Sequence, residues 1–110
     1  MQDRELPDLT HLQFLVLGVL LTGEQSARTI RRAIDEYGIR RSAPAFYQMM
    51  ARMERDGIVE GWYVQVKAGD QAVTERRYRA TAAGSRMWTQ TRAFYEGVGL
   101  GVAGRRWSNA

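Results

Sequence analysis

The side chains best suited to chemistry in this sequence are cationic, and they form three groups. The groups are Arg28, Arg31 and Arg32; Arg40 and Arg41; and Lys67, Arg76, Arg77 and Arg79. Guanidinium groups bind phosphate oxygens through paired hydrogen bonds. Sixteen Lys and Arg against twelve Asp and Glu give a net charge of +4. This balance favours a polyanionic partner such as nucleic acid, or an acidic membrane surface.

Residues for catalysis are sparse. His11 is the one histidine, and its place in the first turn of a predicted helix favours a surface residue. Glu54 and Asp56 are two positions apart, so they do not share a helix face as an acid/base pair would. No glycine-rich phosphate loop or nucleophile elbow is present. We therefore predict no enzyme activity, no catalytic residues, no metal and no cofactor.

The length and composition indicate one globular domain with at most a short appendage. The chain has 110 residues, of which 45% are hydrophobic and 25% charged, as in soluble proteins. It has no cysteine, which suits a reducing cytoplasm. The N-terminus is acidic and polar rather than a signal peptide. The longest apolar run, Phe14 to Leu21, is far shorter than the roughly 20 residues of a membrane span. We predict a cytoplasmic protein without a membrane partner.

One helix, from Ser42 to Asp56, organises the rest of the chain. Ser42 is a good N-cap, and Pro44 falls in the first turn. Gly57 can adopt the left-handed backbone conformation that ends a helix. Helical periodicity places two sets of residues on opposite faces: Phe46, Met49, Met50 and Met53 on one, and Pro44, Gln48, Ala51, Arg52 and Arg55 on the other. The second face is small, polar and basic. It suits the DNA major groove, although an ordinary solvated helix is equally compatible with the pattern.

The order of the other elements predicts a mainly α fold with a small β-hairpin. Two helices, near 11–21 and 26–37, precede the central helix. Alternating residues then predict strands at 62–67 and 73–80, and Thr81 caps a last helix ending near Gly97. This α+β order is the plan of a winged helix-turn-helix. We expect a DNA-binding domain at 1–80, with a loose arm at 1–8, then a dimerisation helix at 81–98 and a flexible tail at 99–110.

Two motifs resemble those of PadR-like transcriptional regulators. The stretch from Phe46 to Val59 is similar to that family's aromatic-Tyr-x-x-Leu-x-Arg-Leu-Glu-x-x-Gly-Leu-Val helix, with methionines replacing the usual leucines. Arg77 to Gly84 resembles its Tyr-x-Leu-Thr-x-x-Gly junction, and Leu20 to Ala27 matches as well. The resemblance covers about residues 10 to 95. It implies a DNA-binding regulator, usually a repressor, that dimerises through the C-terminal helix.

These patterns predict a double-stranded DNA interface, with helix 42–56 in the major groove and a basic wing, 61–80, on the backbone or minor groove. The predicted contacts are Arg28, Arg40, Arg41, Ser42, Pro44, Tyr47, Gln48, Arg52, Lys67, Arg76 and Arg77. Gln48 and Arg52 could bond to base edges or to phosphates. For Tyr47, approach to the DNA backbone is the family's pattern, and packing with an exposed hydroxyl is the alternative.

The last helix carries a stripe of mostly apolar residues that predicts a homodimer. The stripe comprises Met87, Trp88, Thr91, Phe94, Tyr95 and Val98. It would pack in a dimer interface or against the first helix, because an exposed apolar stripe of this size is a liability. Some PadR-like regulators use a tryptophan here to sandwich flat aromatic ligands, so the resemblance makes Trp88 a candidate position for a small aromatic effector. The alternative function is a winged-helix module that binds a protein rather than DNA.

Overall fold

The computed structural model describes residues 7–104, and residues 1–6 and 105–110 lie outside it. Most of the arm predicted at 1–8 and the end of the tail predicted at 99–110 therefore fall outside the described residues. The elements in order are α1 (His11–Leu20), β1 (Gln25–Ser26), α2 (Ala27–Glu36), α3 (Ala43–Arg55), β2 (Val59–Ala68), β3 (Gln71–Ala80) and α4 (Ala82–Gly104).

The first three helices begin at the predicted hydroxyl caps. The Thr10 hydroxyl accepts from the Gln13 backbone N–H at 3.1 Å, and the Gln13 side chain accepts from the Thr10 N–H at 3.0 Å, which completes a capping box. Ser26 caps α2, and Ser42 accepts from the Ala45 N–H at 3.2 Å to cap α3. Each cap satisfies a backbone donor that the helix leaves unpaired, and each is worth about 1 kcal/mol.

Gly57 ends α3 as predicted. Its φ of 76° lies in the left-handed region, where a side chain would be strained. The following Ile58 N–H donates to the Met53 carbonyl at 3.1 Å, which closes the last turn. Ile58 itself is buried, so the helix end is tied directly to the core.

The hydrophobic core joins α1, α2, α3 and the base of the hairpin. Its buried members are Leu12, Val16, Leu17, Leu20, Ala27, Ile30, Ile34, Phe46, Met50, Met53, Ile58, Val59 and Tyr78. Four of them come from α1, which confirms the predicted central position of that helix. Burial of each large apolar side chain contributes about 1.5 to 3 kcal/mol to stability.

The sheet has three antiparallel strands in the order β1-β3-β2. β2 and β3 form the predicted hairpin, paired without interruption from Val59 opposite Ala80 to Ala68 opposite Gln71. The extra strand, β1, makes two pairs with β3. The sequence did not predict β1, because two residues are too few to show an alternating pattern.

Helix α4 is longer than predicted. It reaches Gly104, so the boundary placed between a helix ending near Gly97 and a tail starting at Gly99 is wrong. Both glycines have helical backbone. A glycine costs about 1 kcal/mol relative to alanine within a helix, and that alone does not end one.

The arrangement of three helices and a hairpin, followed by α4, is a winged helix-turn-helix of the α+β class, as predicted. The helix-turn-helix is α2 and α3, and the wing is the β2–β3 hairpin. Across residues 7–104, no helix is both long enough and apolar enough to cross a membrane.

Candidate nucleic-acid interface

Helix α3 exposes the face that the sequence predicted. Phe46, Met50 and Met53 are buried, while Met49 is half-buried. The opposite face is exposed throughout, and its members are Ser42, Pro44, Gln48, Ala51, Arg52 and Arg55. Small side chains on this face would allow the helix backbone to come close to a partner, and the Gln48 amide and Arg52 guanidinium supply hydrogen-bond donors.

Beside α3 lies a cleft of about 410 Å³ whose lining is rich in arginine. We call it the arginine cleft, and its lining residues are Arg28, Arg31, Arg32, Ile34, Asp35, Ile39, Arg40, Arg41 and Tyr47. Its lining thus includes five arginines and a single acidic residue, Asp35. Such a surface attracts anions, because like charges held close together create a strong local potential.

The cations of the arginine cleft differ in how they are held. Arg31 is half-buried, lies over the Phe46 ring at 5.7 Å and donates to the Arg41 carbonyl at 3.4 Å. Arg28, Arg32, Arg40 and Arg41 are exposed, and none of them has an ion-pair partner among residues 7–104. These four guanidinium groups can therefore bind an external anion without first breaking an internal pair.

Tyr47 packs within the chain and is partly exposed, while its approach to the DNA backbone stays a prediction. Its ring packs edge-on against Phe46, with 5.2 Å between ring centroids. The residue is also 41% exposed and lines the arginine cleft. Its hydroxyl is thus available as a hydrogen-bond donor beside four exposed cations.

The wing is less basic than the sequence predicted, because its arginines are paired internally. Arg76 was predicted to contact DNA, but its side chain is only 18% exposed and bonds to both carboxylate oxygens of Glu54 at 3.0 and 3.1 Å. It also donates to the Tyr78 hydroxyl at 3.3 Å. Burial raises the pKa of Tyr78. The pKa of Arg76 is raised although burial opposes this, because Tyr78 and Glu54 favour its charged form.

The neighbouring arginines of β3 also form ion pairs within the chain. Arg77, the other β3 residue predicted to contact DNA, pairs with Glu24 at 3.2 Å and with Glu75. Arg79 pairs with Glu60 at 2.6 Å. Lys67 is exposed near the hairpin turn and has no ion pair among the described residues. The structure thus places Arg76 and Arg77 in internal ion pairs. The DNA contacts predicted for Arg76, Arg77 and Lys67 all stay predictions.

The first half of the α4 stripe packs within the chain, against α1. The Trp88 ring stacks on Phe14, with centroids 5.3 Å apart and planes 6° from parallel. Thr91 is 2% exposed, and Met87 packs against the core. Of the two predicted partners of this stripe, α1 is therefore the one that packs against Trp88. Phe14 also occupies one face of Trp88, where an aromatic effector was predicted.

The second half of the stripe has no cover within the described chain. Phe94 is half-buried and meets Tyr95 edge-on at 5.1 Å, while Tyr95 and Val98 are 49% and 45% exposed. Helical periodicity places Tyr95 and Val98 on the same side of α4 as Thr91. The stripe is continuous, but its contact with α1 is at Trp88, in its first half.

Two residues of the arginine cleft were missing from the predicted contacts. Arg31 and Arg32 lie three and four positions after Arg28, a spacing that places helical side chains on neighbouring rows. That signal was available in the sequence. The roles of Glu24 and Glu54 were not, because their arginine partners lie 53 and 22 residues away along the chain.

The fold is shared with transcriptional regulators of solved structure. A PadR-like transcription factor from Bacteroides fragilis aligns with a TM-score of 0.66 at 16% identity, over 82% of this chain and 84% of the other. A PadR family regulator from Eggerthella lenta aligns with a TM-score of 0.61 at 23% identity, over 82% and 76%. NadR in complex with 4-hydroxyphenylacetate aligns with a TM-score of 0.59 at 16% identity, over 86% and 61%. No family model and no curated protein matches this sequence.

Proposed function

We propose that this protein is a DNA-binding transcriptional regulator of the PadR-like kind that acts as a homodimer. The observation that carries the proposal is the exposed small and polar face of α3 beside the arginine cleft. The fold and the motifs around Phe46 to Val59 support the same function. Repression, rather than activation, is inferred from the family resemblance alone.

In the proposed complex, α3 enters the major groove and the arginine cleft holds the adjacent phosphates. Gln48 and Arg52 then reach base edges, where an amide pairs well with adenine and a guanidinium with guanine. Arg28, Arg32, Arg40 and Arg41 contact the backbone and fix the register of the helix. Lys67 extends the contact along the wing. This assignment moves most of the phosphate binding from the wing to the cleft.

The homodimer is proposed from the uncovered half of the α4 stripe. A second copy would cover Tyr95 and Val98, and a two-fold axis would pair identical surfaces. Dimers of this class place two recognition helices about 34 Å apart, one turn of DNA. Phe14 stacks on one face of Trp88, so an aromatic effector at this site would have to displace Phe14 or stack on the opposite face.

The phosphate role of the arginine cleft can be tested through the salt dependence of binding to duplex DNA. Replacing Arg28 and Arg40 by alanine should flatten the slope of log affinity against log salt concentration by about two units per protomer. The loss should be similar for all sequences, since phosphates carry no sequence information. The measurement is fluorescence anisotropy with labelled duplexes over a salt series.

The matched control replaces Arg79 and Arg92 by alanine. Both are exposed, both are ion-paired, with Glu60 and Glu96, and neither lines the cleft. The control removes the same charge and should leave the slope within about half a unit of the original. An equal change in both double variants would contradict the cleft assignment, and no duplex binding at low salt would contradict the proposed function.

If α3 reads the DNA sequence, substitutions on its exposed face should affect the preferred site more than random duplex, unlike substitutions in the arginine cleft. Replacing Gln48 or Arg52 by alanine should weaken binding to the preferred site by about 1 to 3 kcal/mol and affect random duplex much less. The preferred site can be obtained by selection from a random duplex pool. Gln90→Ala, an exposed glutamine on α4, is the control for Gln48. Equal losses on preferred and random duplexes would show that α3 does not read sequence.

One observation favours a second candidate function, a module that binds a protein. The wing face that carries Trp62, Val64 and Val66 is only half-buried, and Val73, paired with Val66, is 41% exposed. With its arginines paired internally, this face is more apolar than the sequence predicted. Duplex binding that falls steeply with salt concentration would support the DNA-binding function. The absence of such binding would support the protein-binding module.

A further inference from the structure

An ion pair between Glu54 and Arg76 ties the wing to α3. Glu54 is in the last turn of α3 and Arg76 is in β3, and one Arg76 nitrogen lies 3.1 and 3.0 Å from the two Glu54 oxygens. The side chains of Arg76 and Glu54 are only 18% and 29% exposed. A partly buried, charge-assisted contact of this kind is stronger than a surface pair.

Arg76 is in turn fixed to both strands of the wing. Its guanidinium lies over the Tyr63 ring of β2 at 4.5 Å and over the Tyr78 ring of β3 at 5.1 Å. Its Nε donates to the Tyr78 hydroxyl at 3.3 Å, and Tyr78 is 1% exposed. Gly61 makes room for this packing, because a Cβ there would lie 2.8 Å from an Arg76 nitrogen and from a Tyr78 ring carbon.

The position of this contact matters because a small rotation at the base of the wing produces a larger displacement at the hairpin turn. β3 begins at Gln71, five residues before Arg76, so the hairpin turn lies about 17 Å beyond the pair at roughly 3.4 Å per residue. A rotation of about 10° at the base would move the turn by about 3 Å. A shift of that size breaks a hydrogen bond made near the turn.

We propose that Arg76 is a positioning residue that fixes the angle between the wing and α3 through Glu54, and that it does not itself bind phosphate. The part of this inference that concerns DNA rests on the proposed function. The structural part does not, because the contacts of Arg76 lie entirely within the chain.

The angle can be measured without DNA. The chain has no cysteine, so Ala51→Cys on α3 and Gln71→Cys at the hairpin turn accept two spin labels, both at exposed positions. Pulsed electron resonance then gives the distribution of distances between them. In the otherwise unchanged protein we expect one narrow distribution, and in Arg76→Gln a broad or shifted one.

Arg79→Gln is the matched control. Arg79 is in the same strand and loses an ion pair of its own, but its partner Glu60 lies within the hairpin. The control should leave the distance distribution unchanged. Glu54→Gln removes the charge from the α3 side and keeps Arg76 stacked between the tyrosines, so it replaces Arg76→Gln if that variant does not fold. Unchanged distributions in the folded variants would overturn the proposal.

The affinity for duplex DNA and its salt dependence distinguish a positioning role of Arg76 from a direct phosphate contact. Arg76→Gln should weaken binding to the preferred duplex by about tenfold, as coupled residues do, while the salt slope stays that of the unsubstituted protein. A slope flattened by about one unit would mean that Arg76 binds a phosphate, which would overturn the proposal. If the unsubstituted protein binds no duplex, the proposed function fails, and the label distances still decide the role of Arg76.

Discussion

Replacing Gly84 by alanine should lower the free energy of unfolding by about 3 kcal/mol, the upper end of the usual cost of overpacking. A Cβ at this position would lie 2.1 Å from the carbonyl oxygen of Ile58 and 3.2 Å from a methyl carbon of Leu17. The carbonyl cannot simply move away, because it accepts a hydrogen bond from the Thr81 N–H at 3.1 Å.

The same junction joins three elements, which is why its disruption should be costly. The Thr81 hydroxyl donates to the Gly57 carbonyl at 2.7 Å and accepts from the Gly84 N–H at 3.0 Å. The end of α3, the start of β2 and the start of α4 are therefore fastened together at one point. A shift of α4 that made room for the methyl group would lengthen these bonds.

Gly97→Ala is the control for this prediction, to be compared by urea or thermal unfolding followed by circular dichroism. Gly97 is in the same helix, and nothing lies within 4 Å of a Cβ built there. Alanine at this position should be neutral or stabilise by up to about 1 kcal/mol. If Gly84→Ala were as stable as the unsubstituted protein, the close approach of α4 to Ile58 would be wrong.

A glutamate at Tyr95 or Val98 should convert the proposed dimer into a folded monomer. Each side chain is about half exposed in the single chain, and burial of a large apolar side chain contributes about 1.5 to 3 kcal/mol. Two-fold symmetry applies the loss twice, so the dissociation constant should rise by about a hundredfold or more. Sedimentation velocity over a concentration series measures this change directly.

Ala93→Glu is the matched control for the dimer. It adds the same charge to the same helix at an exposed position, but helical periodicity places it on the side opposite Val98. It should leave the dimer intact. The Tyr95→Glu and Val98→Glu variants should also bind a preferred site with two half-sites more weakly, which Ala93→Glu should not, while weak binding to random duplex persists in all three. Unchanged sedimentation of both stripe variants would move the interface elsewhere, most plausibly to α1.

Signals that act within a few residues identified most of the fold from the sequence. Thr10, Ser26, Ser42 and Thr81 each cap the helix that the sequence assigned to them, and Gly57 ends α3. These features depend on hydrogen bonds between residues three to five positions apart, so the local sequence is sufficient to predict them. The exposed face of α3 followed from helical periodicity in the same way.

Other features depended on partners far along the chain. The arginines of β3 were predicted to form a basic wing. In the structure Arg76 pairs with Glu54, 22 residues away, and Arg77 pairs with Glu24, 53 residues away, as well as with its neighbour Glu75. Whether an arginine is free or paired depends on which carboxylate the fold brings near it. No local pattern contains that information.

The sequence by itself determined where the helices begin, that a hairpin follows α3, and which face of α3 is exposed. It also determined how much positive charge the chain carries. Each of these follows from local geometry or composition. Tertiary structure alone decided where that charge is available. Packing of α2 against the turn before α3 gathers Arg28, Arg31, Arg32, Arg40 and Arg41 around one cleft, and the return of β3 beside α3 removes Arg76 from the surface. Packing also divided the α4 stripe, because Trp88 stacks on Phe14 of α1 and Thr91 is buried, while Tyr95 and Val98 stay about half exposed.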